Sequence, residues 1–210
     1  MNVAYASFPS REVTSSNIEK CAKLERDSRP ELEREFERES RLESRLEFER
    51  KFLFDERCRL IIAVVDEVIV GYACTVEYHN TLNSTLNSTL NSTLNSREPI
   101  KIAWVTQLFV DEKYRRRGIA TKLISLMTIH DVSVCGIVSS NEHAVRAFEK
   151  ATRQKTSDTI PSLLPWFRAT PVPYLKDKVI SRENYVEREV KGELQEKVAM
   201  IWVLKEIKVS

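Results

Sequence analysis

The passage that most narrows the possible folds lies between residues 100 and 127, where "IKIAWVTQLFV" (100–110) runs through "YRRRGIA" (114–120) into "GIATKLISLM" (118–127). The first run is rich in β-branched and aromatic residues and reads as a buried strand. In the last, Ile119, Leu123, Ile124 and Met127 recur at helical spacing. A buried strand that turns into a helix through one basic, glycine-bearing turn belongs to a layered sheet-and-helix architecture.

The rest of the chain supplies the other layers. "CRLIIAVVDEVIVGYACTVEYH" (58–79) reads as two strands meeting near Asp66 and Glu67, an antiparallel hairpin. "VSVCGIVSS" (132–140) reads as a strand, and "NEHAVRAFEKA" (141–151) as a helix with Ala144, Ala147, Phe148 and Ala151 on one face. "VAMIWVLKEIKV" (198–209) reads as a closing strand, after an irregular proline-rich stretch from 156 to 175 and an ambiguous charged one. The N-terminal part reads as helical. Residues 31–53 form a long charged amphipathic helix, with Leu32, Phe36, Leu42, Leu46 and Leu53 on one arc and Glu37 with Arg41 and Glu47 with Lys51 spaced for ion pairs. No strict heptad is sustained, so a helix laid on the domain is preferred to a coiled coil.

Residues 81–96 repeat the unit "TLNS", too short to stack as a solenoid and too poor in core-forming residues to bury a face, so they read as a flexible inserted loop. The Asn-Ser-Thr triplets inside it match glycosylation acceptors, but without a secretory signal they are expected to go unused. The 210 residues suit a single domain, with 42% hydrophobic and 30% charged residues as in a globular protein. A net charge of +2 gives no overall field toward nucleic acid or membrane, so neither is expected as a partner. With no leader and no membrane-length apolar run, a cytoplasmic or nuclear setting is expected. Cys21, Cys58, Cys74 and Cys135 form no CxxC pair and read as reduced structural thiols; His79, His130 and His143 lack metal-ligand spacing, so no metal is expected.

The arginine turn carries the chemistry. A glycine-bearing turn entering a helix presents unpaired backbone N–H groups, Gly118 permits close approach of an anion, and Arg115, Arg116 and Arg117 add charge-assisted contacts. Spacing alone leaves phosphate binding and a solvated loop both open. A nucleic-acid contact is disfavoured because Asp111 and Glu112 lie close by.

Arg115-Arg116-Arg117-Gly118-Ile119-Ala120 matches the (Gln/Arg)-x-x-Gly-x-(Gly/Ala) signature of the GCN5-related N-acetyltransferases, the GNAT superfamily, and residues 58–155 resemble that family well. "LFVDEKYRRRGIATKLI" is similar to its central strand, phosphate loop and helix, and "SSNEHAVRAFEKA" to its next strand end and helix. "WVTQLFV" and "VSSNEHAVRAFEKAT" are also similar in wording to a fungal branch of the superfamily.

The resemblance implies an α/β (α+β) GNAT fold: a central mixed, mostly antiparallel sheet flanked by helices, with two strands splayed at the acetyl-CoA site. It implies that backbone groups of Leu108, Phe109 and Val110 pair with the pantetheine amides, and that amides from Arg115 through Gly118, Ile119 and Ala120, with Thr121, hold the pyrophosphate. Asn141 contacts the pantetheine or simply caps its helix, and Phe148 lies toward the thioester where many members carry a tyrosine. The positions that hold an acidic base in many members are Thr106 and Gln107 here, which cannot accept a proton near neutral pH. No catalytic residue is therefore assigned. Tyr174 and Tyr185 are candidate substitutes for the missing hydroxyl or ordinary packing residues. Two readings follow: an N-acetyltransferase acting on a polyamine, an amino sugar, a protein N-terminus or a lysine, and an acyl-CoA-binding module that kept the fold without the reaction.

Overall fold

The computed structural model describes residues 1–28, 41–80, 100–127, 132, 134–139, 141–153, 172 and 197–202. The inserted repeat at 81–96, residues 31–40 of the charged helix, His130, Tyr174 and Tyr185 lie outside them.

Among the described residues six strands form one sheet in the order of the chain: β1 (Ala4–Pro9), β2 (Cys58–Val65), β3 (Val68–Asn80), β4 (Ile100–Val110), β5 (Val134–Ser139) and β6 (Lys197–Trp202). Every neighbouring pair is antiparallel except β4 with β5, which is parallel. This is the mixed, mostly antiparallel sheet that the sequence led us to expect. Period-two alternation sorts each strand between two cores: Leu60 and Ile62 face one side of β2, Ile61, Ala63 and Val65 the other. Helices α1 (Ser15–Asp27) and α2 (Arg41–Phe52) cover the first side, through Ile18, Cys21, Phe48 and Phe52. The other is covered by α3 (Ile119–Ser125) and α4 (Glu142–Thr152), through Ile119, Leu123, Ile124 and Phe148.

The hairpin between β2 and β3 turns on Asp66 and Glu67, with φ of 48° and 65°. Two successive positive φ values make the tight turn whose twist matches that of the strands it joins.

The N-terminus departs from the helical expectation, because it opens with β1 on the sheet edge, paired Ala4↔Val64 through Pro9↔Arg59. Tyr5 packs toward the α3 and α4 side and Ala6 and Phe8 toward the other, so "AYASFP" carries a strand alternation too short to stand out. The apolar arc of the charged helix also changes. Phe48 and Phe52 are its buried anchors, with ring centroids 5.1 Å apart, whereas Leu46 is 50% exposed. The nearby ion pair is Arg45 with Glu49 at 3.3 Å.

Two irregularities in β4 shape its end. Cys74 pairs with Gln107 but Thr75 with Val105, so Thr106 is an extra residue, a bulge that bends and twists the strand. Pairing with β5 stops at the same place: the last matched residues are Val105 and Ile137. Beyond them β4 continues to Val110 against β3, and β5 continues to Ser139 against β6. The parallel strands thus part where β4 bulges.

Candidate functional site

The parting lies at the C-terminal ends of β4 and β5, the end of parallel strands at which ligands bind in open sheets. Leu108, Phe109 and Val110 lie on the β4 arm of the gap. Leu108 and Val110 are half-buried and pack toward α3 and α4; Phe109 points the other way and stacks on Tyr72 at 5.9 Å between centroids. Their side chains anchor the strand, which leaves main-chain groups on the side away from β3 as what this edge can offer.

From Val110 the chain makes a one-turn 3-10 helix, Glu112–Tyr114, capped by the Asp111 carboxylate accepting from Lys113 N at 2.8 Å. It then enters the arginine turn. Arg116 and Gly118 both have positive φ, 62° and 78°. A Cβ built on Gly118 would meet no atom within 4 Å, so the space beside this residue is open. Gly118 is here for its left-handed backbone and for that room.

The three arginines are exposed but do different things. Arg115 Nε donates to the Val110 carbonyl at 3.2 Å and its guanidinium lies 3.8 Å from Glu112, which ties the turn back to the strand end. The Arg117 guanidinium sits 5.5 Å from the centre of the Tyr114 ring. Arg116 has no side-chain partner among the described residues. Ile119 is 2% exposed and roots α3 in the core, while Ala120 and Thr121 are half-buried. From Ile119 only the main chain remains for a ligand.

Asn141 follows the end of β5 and is exposed. Its side-chain oxygen accepts from His143 N at 2.9 Å and caps α4, the second of the two roles considered for it. The cap uses the carboxamide oxygen and not its N–H groups.

Phe148 differs from the expectation. It has 0% exposure within the core beneath α4, so it presents no surface to a cofactor. Its place on the apolar face with Ala144 and Ala147 explains the burial, because the α4 stripe that packs on the sheet includes this position.

The structure adds a residue that the sequence did not single out. Glu25 of α1 receives the Tyr72 hydroxyl on Oε2 at 2.8 Å and the Gln107 amide nitrogen on Oε1 at 3.1 Å. A carboxylate therefore stands beside β4 just past the bulge, where the strand itself carries only an amide. A signal existed: Glu25 falls seven residues after Ile18 and four after Cys21, on the buried stripe of its helix, where an acidic residue is out of pattern. Burial, and next the negative charge of Glu25, push the Tyr72 hydroxyl well above its usual range, so it stays a protonated donor.

All four cysteines are free and buried. Burial raises the Cys21 and Cys135 thiols to about 12 and Cys58 to about 11, which makes them packing groups rather than nucleophiles. Among the described residues no three His, Cys, Asp or Glu side chains gather as metal ligands would. No described helix is long and apolar enough to cross a membrane.

The family model for the acetyltransferase (GNAT) family matches residues 20–152. No curated protein matches the chain by sequence. Solved structures similar to it include an aminoglycoside acetyltransferase from an uncultured soil metagenomic sample, 19% identical, with 71% of this chain and 90% of that one covered at a TM-score of 0.48. An aminoglycoside N-acetyltransferase in complex with CoA is 16% identical over 74% of this chain and 90% of its own, at a TM-score of 0.45. The ribosomal-protein-alanine N-acetyltransferase from Brucella melitensis biovar Abortus 2308 is 17% identical, covering 60% and 69%, with a TM-score of 0.39. The narrower likeness to a fungal branch finds no support in these matches, and likenesses this distant carry no substrate to this chain.

Proposed function

Because the chain belongs to the GNAT family of acetyltransferases, we propose that it transfers an acetyl group from acetyl-CoA to the amine of a small molecule or a protein. One observation carries this reading: the parting of β4 and β5 past Val105 and Ile137 opens at the same end of the sheet as the arginine turn, whose Gly118 has open space beside it. An open strand edge and a roomy glycine turn, one leading into the other, suit an extended amide-bearing chain that ends in phosphates.

Acetyl-CoA supplies an acyl group on a thiol that leaves readily, since a thiol of pKa about 8.5 is a fair leaving group near neutral pH. The residues of the chain bind and orient. Main-chain groups of Leu108, Phe109 and Val110 pair with the pantetheine amides as an added strand would, an arrangement whose affinity comes from main-chain hydrogen bonds. Amides from Arg115 to Thr121 hold the pyrophosphate, and Arg116, exposed and without a side-chain partner among the described residues, adds charge. The N–H groups of the exposed Asn141, just past the end of β5, donate to the arm. A strand amide at the parting polarises the acyl carbonyl, and holding the amine against it lowers the barrier by orientation.

A second reading, an acyl-CoA-binding module without turnover, draws on Thr106, Gln107 and the buried Phe148, none of which moves a proton. The two separate in one experiment: CoA-dependent melting measured alongside thiol release in a screen of primary amines, amino sugars and peptide amines. Acetyl transfer requires both a melting shift and amine-dependent release of CoA. A shift without release leaves the binding module, and no shift removes both readings.

A further inference from the structure

We propose that Glu25 is the proton acceptor for the incoming amine, a catalytic carboxylate delivered from α1 to the place where β4 carries Gln107. The inference rests on the acetyltransferase reading above and names the group that reading lacks.

Position argues first. A ligand arm paired in turn with Val110, Phe109 and Leu108, starting from the phosphate end, advances about 3.3 Å per residue and comes next to Gln107. Glu25 Oε1 is 3.1 Å from the Gln107 side-chain nitrogen. The carboxylate is thus one hydrogen bond from the strand position at which the acyl end arrives, on the α1 side of the sheet. As a residue it is half-buried rather than sealed in the core.

Orientation argues next. Tyr72, fully buried, donates to Oε2 at 2.8 Å, and Gln107 holds the other oxygen. These two donors come from neighbouring strands and fix the plane of the group. A carboxylate offers about four acceptor sites, so donors that orient it do not by themselves close it to a further N–H. Titratable groups beside it among the described residues include Cys21 on the same helix and Tyr72 and Cys74 on β3, each kept protonated by burial.

The step balances without another reactant. Glu25 takes one proton from the alkylammonium, directly or through one water, and frees the nitrogen lone pair. That pair forms the C–N bond to the acyl carbon as the C–S bond breaks, and the second nitrogen proton ends on sulfur. The products are an amide and a thiol, and Glu25 returns its proton to solvent.

A purely structural role, satisfying the buried Tyr72 hydroxyl, is the competing account. The probes are benzylamine, an ammonium near pH 7, aniline, a free base there, and the best primary alkylamine of the screen. Glu25→Gln keeps the shape and an acceptor for Tyr72. It is expected to lower kcat/KM for the alkylamines by about 10²- to 10⁴-fold. Aniline turnover and the CoA-induced melting shift should stay within about threefold and about one degree of wild type. The double variant Glu25→Gln/Gln107→Glu exchanges amide and carboxylate across the same hydrogen bond and should regain at least tenfold of the alkylamine rate. Equal losses with benzylamine and aniline, no loss at all, or a double variant no faster than the single one would each overturn the assignment. A wild type that binds CoA yet acetylates no amine overturns the proposed function itself, and this inference with it.

Discussion

Gly118 lets the fold and the cofactor be tested apart. Its φ of 78° and ψ of 4° place it in the left-handed region, and a side chain there would meet no atom within 4 Å. Alanine at 118 therefore brings backbone strain without overlap: about 1–2 kcal/mol for an L-residue held left-handed, offset by about 0.4–1 kcal/mol of entropy removed from the unfolded chain. A net loss of about 1 kcal/mol lowers the melting temperature of a chain this size by about 2–4 °C. Asparagine tolerates the left-handed region, so Gly118→Asn should melt closer to wild type than alanine does while filling more of the open space. Ligand at a hundredfold excess over Kd stabilises by about 2.7 kcal/mol, which corresponds to about 5–10 °C here. The assay is thermal melting with and without CoA for wild type, Gly118→Ala and Gly118→Asn. The expected pattern is full CoA stabilisation in wild type and little in Gly118→Asn, although the apo form of that variant is nearly as stable as wild type. An asparagine variant with the complete CoA shift would refute the idea that diphosphate occupies the space beside this residue.

Gly136 tests the sheet itself. A Cβ there would overlap the Trp104 indole, reaching within 2.7 Å of its Cε3, and that ring is 1% exposed and donates to the Tyr78 hydroxyl at 3.0 Å. Gly136→Ala should cost about 1–3 kcal/mol, and Trp104→Phe in the same chain should relieve part of it in a denaturant-melt double-mutant cycle; additive losses would contradict the contact. Phe148→Tyr should destabilise by about 1–3 kcal/mol, because its hydroxyl is buried without a partner, and should not raise turnover; a faster enzyme would place the ring at the thioester after all. Alkaline pH should weaken the fold. Cys21, Cys58 and Cys135 are raised from an ordinary 9.0 to about 12, 11 and 12, so the unfolded chain loses its thiol protons first, and the thiol contribution, complete below pH 9, falls away toward pH 11–12. The slope of melting temperature against pH above 9 should be shallower in Cys21→Ala, and an unchanged slope would show that this thiol does not titrate as its burial requires.

The sequence by itself determined what local rules govern. Runs such as "CRLIIAVV" and "IKIAWVTQLFV" are strands by composition, and Asp66-Glu67 is a two-residue connection because two apolar runs are that far apart. The arginine turn lies between a strand and a helix by periodicity alone, and a cap is one of the two roles open to Asn141 from its place before "EHAVRAF". Each of these depends on residues within a turn or two of one another. What only the tertiary structure decided are relations between distant segments. The bulge at Thr106 exists as a mismatch of register with β3, and the parting of β4 from β5 as the end of a pairing with a strand some thirty residues on. Phe148 is as able to face a ligand as a core until the sheet beneath α4 is in place. Glu25 and Gln107 are 82 residues apart in the chain and meet only because α1 is laid across β3 and β4 on the face that Gln107 shares. Periodicity reports which side of an element is apolar; it carries no record of what that side will touch. The acidic residue on the buried stripe of α1 was visible as an anomaly, and its meaning came from the strand it was folded against.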